Sequence, residues 1–156
     1  MTESTAGAAV SAKARFYRAD PHFVVPDVVA AAEYYRDFFG FRVMGVYFEP
    51  PTFAMVERDN VVIQFGRVDL NETVAPNRKR RDEALDAYIW VSDVDALFAE
   101  LKEKGAKILE GPVLRFYRCY ELVVEDAFGF CLVFAKDMGP EYRAEERRLG
   151  DRVWDR

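Results

Sequence analysis

Asp20 and His22 stand two residues apart in ADPHFVVPDVVAAAEYYRDFFGF, residues 19–41. A carboxylate beside an imidazole can chelate a metal, line a binding cavity as an acid–base pair, or simply open a strand in solvent. His22 is the only histidine in the 156-residue chain, so any imidazole chemistry falls to it. A similar polar opening recurs at DAYIW, Asp86 to Trp90. Alternate residues of a strand share a face. His22 and Val24 therefore accompany Asp20, and Tyr88 and Trp90 accompany Asp86. Two carboxylates among aromatic rings attract a cation, through charge and through the ring quadrupole. Pro21 permits the plainer reading, in which Asp20 and His22 lie just outside a strand start. Tyr88 and Trp90 equally admit a role as ordinary core residues.

The elements that must position these residues come in a repeat. FVVPDVVAAAEYYRDFFGF (Phe23 to Phe41) aligns with IWVSDVDALFAELKEKGAKI (Ile89 to Ile108). Each opens on a β-rich run, passes through Asp-Val, continues as a helix and stops at glycine. Asp27 and Asp93 are expected N-caps, since a carboxylate accepts from the free N–H groups of a first turn. Val28, Ala31, Ala32, Tyr35 and Phe39 form an apolar stripe at helical spacing, and Val94, Leu97, Phe98 and Leu101 repeat it. Gly40 and Gly105 suit the left-handed position past a helix end. Alternating runs follow each helix, with turn signals at Asp59-Asn60 and Phe128-Gly129.

This reading gives a disordered N-terminal arm (1–15), a first β-α-β-β-β module (16–67), a polar linker (68–84), a second module (85–136) and a charged helical tail (137–156). The tail is expected to dock through Leu149 and Trp154.

The net charge of -5 argues against general nucleic-acid binding, and the basic run Asn77–Arg81 is followed at once by Asp82 and Glu83. Cys119 and Cys131 lack CxxC spacing, so neither a zinc site nor a disulfide framework is expected. No apolar run approaches the roughly 20 residues of a membrane span, nor does the N-terminus carry a signal-type apolar core. A cytoplasmic protein is expected.

The motifs VVPDVVAAAEYYRDFFGF (24–41) and VEDAFGFCLVF (124–134) resemble the vicinal oxygen chelate superfamily. That group includes glyoxalase I, extradiol dioxygenases, fosfomycin-resistance transferases and bleomycin-resistance proteins. The resemblance covers residues 16–136. It implies an α+β fold of two tandem β-α-β-β-β modules, whose mixed sheet curls into a cup around a central cleft. In metal-dependent members, ligands lie seven residues before each cap aspartate and near the end of each last strand. Those places hold Asp20, Asp86, Gln64 and Val133 here, which departs from the family's His, Gln and Glu at each. Val133 cannot bind a metal, so no metal or other cofactor is expected. The alternative is a hard divalent ion on Asp20, Gln64 and Asp86.

The resemblance is nearest to the bleomycin-resistance branch. It implies a metal-free protein that sequesters a flat, partly cationic, antibiotic-like ligand on Asp20, His22, Gln64, Asp86, Tyr88 and Trp90. Phe116 and Tyr117 are candidate wall or lid residues, and Arg115 and Arg118 could meet a ligand carboxylate. Tyr47 and Phe48 flank Pro50-Pro51 at a hairpin tip. Family members of this length often form homodimers, and a homodimer is expected. The competing reading is a lyase, isomerase or dioxygenase with His22 as acid–base residue, tuned by Asp20. A third is a scaffold module whose aromatic loops bind protein.

Overall fold

The computed structural model describes residues 14–140. The N-terminal arm lies almost wholly outside them, as do Leu149 and Trp154 of the tail.

The element order is β1 (His22–Val25), α1 (Val28–Phe39), β2 (Arg42–Tyr47), β3 (Phe53–Arg58), β4 (Val61–Arg67), then β5 (Ala87–Trp90), α2 (Val94–Glu103), β6 (Lys107–Leu114), β7 (Cys119–Glu125) and β8 (Cys131–Asp137). The strands form two four-stranded mixed sheets, ordered β1-β4-β3-β2 and β5-β8-β7-β6. In each sheet the first strand runs parallel to the last, and the other pairs are antiparallel. The two tandem β-α-β-β-β modules of an α+β fold are therefore present, as two sheets that do not close.

The local signals act as their chemistry dictates. Asp27 Oδ1 accepts from the N–H groups of Val29 and Ala30 at 2.9 and 3.0 Å, and Asp93 Oδ1 from Ala96 at 2.9 Å. Gly40 and Gly105 take φ of 71° and 76°, the left-handed region.

One core joins the modules. Phe23 and Val25 of β1, the stripe of α1, and Ile63 and Phe65 of β4 pack in a single cluster with Ile89, Leu97, Leu101, Leu132 and Phe134 of the second module. Phe23 stacks on Phe130 at 4.6 Å, and Phe39 meets Phe134 edge-on at 6.4 Å. Each sheet thus turns one face to the helices and the shared core. Strand alternation then sends His22, Val24 and Gln64, and likewise Tyr88, Trp90 and Val133, to the other face.

Candidate functional site

On the first sheet, His22 pairs in register with Gln64. Its imidazole stacks on Phe53 at 6.0 Å, and Phe53 in turn lies 5.8 Å from Tyr47. Gln64 Oε1 is 3.5 Å from His22 Nδ1, and Gln64 Nε2 donates to Asp20 Oδ2 at 3.4 Å. Gly66 makes room for the imidazole, because a Cβ there would meet His22 Nε2 at 2.6 Å. Asp20 is paired with Arg18, whose Nε lies 2.6 Å from Oδ1.

On the second sheet, Glu121 of β7 is buried on the face of Val123 and Val133. Its Oε1 accepts from the Tyr88 and Tyr117 hydroxyls at 2.6 and 2.8 Å, and its Oε2 from Arg115 Nε at 2.9 Å. Arg115 reaches Glu110 as well. Burial raises Tyr88 well above the usual phenol range, and its hydrogen bond to Glu121 adds to this. Burial and the same carboxylate push Tyr117 up to about 12. Burial pulls the Arg115 guanidinium down, but its bonds to Glu110 and Glu121 outweigh this and hold it above its ordinary value. Both phenols therefore stay protonated donors and Arg115 stays charged at neutral pH. Around this centre, Trp90 packs edge-on against Tyr88 at 5.1 Å and Phe116 against Tyr117 at 4.9 Å. Trp90, Phe116 and Tyr117 remain 59%, 55% and 48% exposed. The result is an open aromatic tract over a buried, hydrogen-bonded carboxylate.

The expected site residues divide into separate groups. Asp20, His22 and Gln64 come together on the first sheet; Tyr88, Trp90, Phe116 and Tyr117 come together on the second. Among the described residues no hydrogen bond or ring contact joins the two groups. Asp86 belongs to neither acidic wall. Its Oδ2 accepts from Cys131 N–H at 2.8 Å and its Oδ1 from Asn77 N–H at 2.9 Å, so it pins the linker to β8. It does share a cavity of about 380 Å³ with His22 and Phe130. The expected like-charge pair of Asp20 and Asp86 is corrected accordingly, since each carboxylate already has its own partners. Asp20 is paired with Arg18 and makes no hydrogen bond to His22. Arg115 is not free for a ligand carboxylate, because Glu110 and Glu121 hold it.

The residues present do not fit the family's metal. Val133 offers no donor, Asp86 is engaged by backbone N–H groups, and Asp20 is neutralised by Arg18. Among the described residues no three of His, Cys, Asp and Glu are grouped to hold an ion.

Glu121 is the residue that sequence reasoning missed. Its signal lies in CYELVVE, where one carboxylate interrupts an apolar strand and a guanidinium sits six residues upstream. A buried charge in such a run requires a partner.

A family model described as the Glyoxalase/Bleomycin resistance protein/Dioxygenase superfamily matches residues 19–134. No curated protein sequence matches. Among solved structures, TioX from Micromonospora sp. ML1 superposes with a TM-score of 0.62 at 19% identity, covering 78% of this chain and 99% of that one. The bleomycin-binding protein of bleomycin-producing Streptomyces verticillus, complexed with copper(II)-bleomycin, gives 0.60 at 24%, covering 78% and 97%. A Nocardioides glyoxalase/bleomycin resistance protein/dioxygenase gives 0.59 at 15%, covering 90% and 93%. At these identities the likeness is one of fold.

Proposed function

The chain belongs to the Glyoxalase/Bleomycin resistance protein/Dioxygenase superfamily, and from that premise we propose that it binds a flat, partly cationic small molecule without transforming it. Such a fold hosts both enzymes and binding proteins, so the site has to decide. One observation carries the reading: Tyr88, Trp90, Phe116 and Tyr117 surround Glu121, and Arg115 meets two carboxylates with one positive charge. That three-residue cluster keeps one negative charge in excess beneath exposed rings. A planar cation gains stacking and cation–π attraction there. The Streptomyces verticillus relative, solved with copper(II)-bleomycin, supports an antibiotic-like ligand. The donor set described above supports holding it without a metal of the protein's own.

The molecule is further proposed to act as a cytoplasmic homodimer. Val24, Tyr47, Phe48, Trp90 and Phe116 leave apolar surface exposed on both sheets, which a second copy would cover. The two free cysteines suit a reducing compartment.

The test is a titration in a Trp154→Phe background, where Trp90 alone reports by fluorescence. A cationic acridine is expected to quench it saturably, with a sulfonated analogue failing to bind. Glu121→Gln should weaken the cation about 10²-fold, the usual consequence of losing a buried charged partner. Equal affinity for both analogues, or no effect of Glu121→Gln, overturns the reading.

A further inference from the structure

The repeat brings each helix against the hairpin of the other module, and the two junctions are filled differently. At the first, the Tyr35 hydroxyl donates to Asp126 at 3.1 Å and the Tyr34 hydroxyl to the Glu125 carbonyl at 3.4 Å. Their rings pack together with Phe39. At the second junction, the offset of 66 that separates Asp27 from Asp93 places Leu101 where Tyr35 stands and Glu100 where Tyr34 stands. Glu100 keeps the cross-module bond as an ion pair with Arg58, at 2.7 Å. No ring follows it inward. A cleft of about 400 Å³ remains, within the range that holds small ligands.

Its floor is apolar, formed by Phe41, Ile89, Leu97 and Phe134. Arg58 is neutralised by Glu100, which leaves Asp59 and Asp93 as the charged groups at the mouth. Apolar depth and a negative mouth together select one kind of occupant. We infer that this inter-module cleft is a second binding site, for an organic cation with an apolar body, such as a quaternary ammonium carrying a phenyl group. The body enters the cleft and the cation stays at the mouth beside Asp59 and Asp93. The site is separate from the Glu121 face, because Ile89 lines it from the opposite side of β5 to Tyr88 and Trp90.

Benzyltrimethylammonium and its neutral isostere neopentylbenzene test this by methyl NMR. The cation is expected to shift the Val61, Ile89 and Leu97 methyls, and to bind at least roughly tenfold tighter than the isostere. Ala96→Trp, at the cleft wall, should abolish those shifts. Asp59→Asn, in a turn that asparagine tolerates, should weaken the cation severalfold and leave the isostere unchanged. Glu121→Gln should leave all of them as they are. The inference is overturned if the cation shifts only Val123 and Val133 and loses this in Glu121→Gln, an outcome that would leave the function proposed above standing. It is overturned equally if the isostere binds as tightly, or if neither compound shifts the cleft methyls in a folded protein.

Discussion

Asp126 is a single side chain whose protonation is tied to folding. It is 3% exposed; its Oδ1 accepts from Phe128 and Phe130 N–H, and its Oδ2 from Tyr35. Burial raises its carboxyl from 3.8 to about 6, against those hydrogen bonds and with help from Asp86. The folded state therefore holds this proton more tightly than the unfolded chain. The contribution to stability is fully present below about pH 4 and is lost as pH rises through about 6, roughly 3 kcal/mol for a two-unit shift. In urea melts compared at pH 4 and 7, Asp126→Asn should lose less than wild type over that interval. Parallel pH profiles for the two proteins would refute it. Glu121 shows the complementary residue-scale outcome, a carboxylate kept buried because three donors meet it.

At the scale of elements, the helix ends and the junction contacts are coupled. Gly40 ends α1 at φ 71°, and a Cβ there would meet Glu100 Oε1 at 2.6 Å and Arg58 Nη1 at 2.8 Å. Gly105 stands at the corresponding end of α2 at φ 76°, where a Cβ would make only an ordinary contact with the Phe38 ring at 4.0 Å. Gly105→Ala should lose only the left-handed strain, about 1 kcal/mol. Gly40→Ala should lose that and the junction pair besides, about 2 kcal/mol in all. Equal losses in denaturant melts would show that Arg58–Glu100 contributes nothing to holding the modules together. The first helix is tied to the second module by buried groups as well, since the Tyr35 hydroxyl donates to Asp126 and the Phe39 ring meets Phe134.

For the whole molecule, the two modules share one core on their helix-side faces, and the second sheet buries a smaller cluster of Val123, Cys131, Val133 and Ala135 on its other face. Each of these other faces carries its own aromatic run: His22, Phe53 and Tyr47 on the first sheet, Trp90, Tyr88, Tyr117 and Phe116 on the second. A second copy is the simplest cover for both. Sedimentation at micromolar concentration should give a dimer, and Phe48→Lys with Phe116→Lys should return it to monomer while circular dichroism stays unchanged. A wild-type monomer at that concentration would exclude the proposed pairing.

The repeat, the helix caps, the apolar stripes and the turn at Asp59-Asn60 were all legible in the sequence. Each depends on residues within a few positions of one another, and periodicity reports such neighbours directly. Strand alternation also grouped His22 with Val24, and Tyr88 with Trp90, on one face of their strands. Partnership was not legible. Asp20 and Asp86 occupy equivalent places in the repeat, yet one pairs with Arg18 and the other with the backbone of Asn77 and Cys131. Glu121 meets Tyr88 across 33 residues, and Arg58 meets Glu100 across 42. Equal spacing fixes where a side chain starts along a strand. Which charge or donor it meets depends on how the linker folds back and how the two sheets pack, and that is settled only when the modules join around their common core.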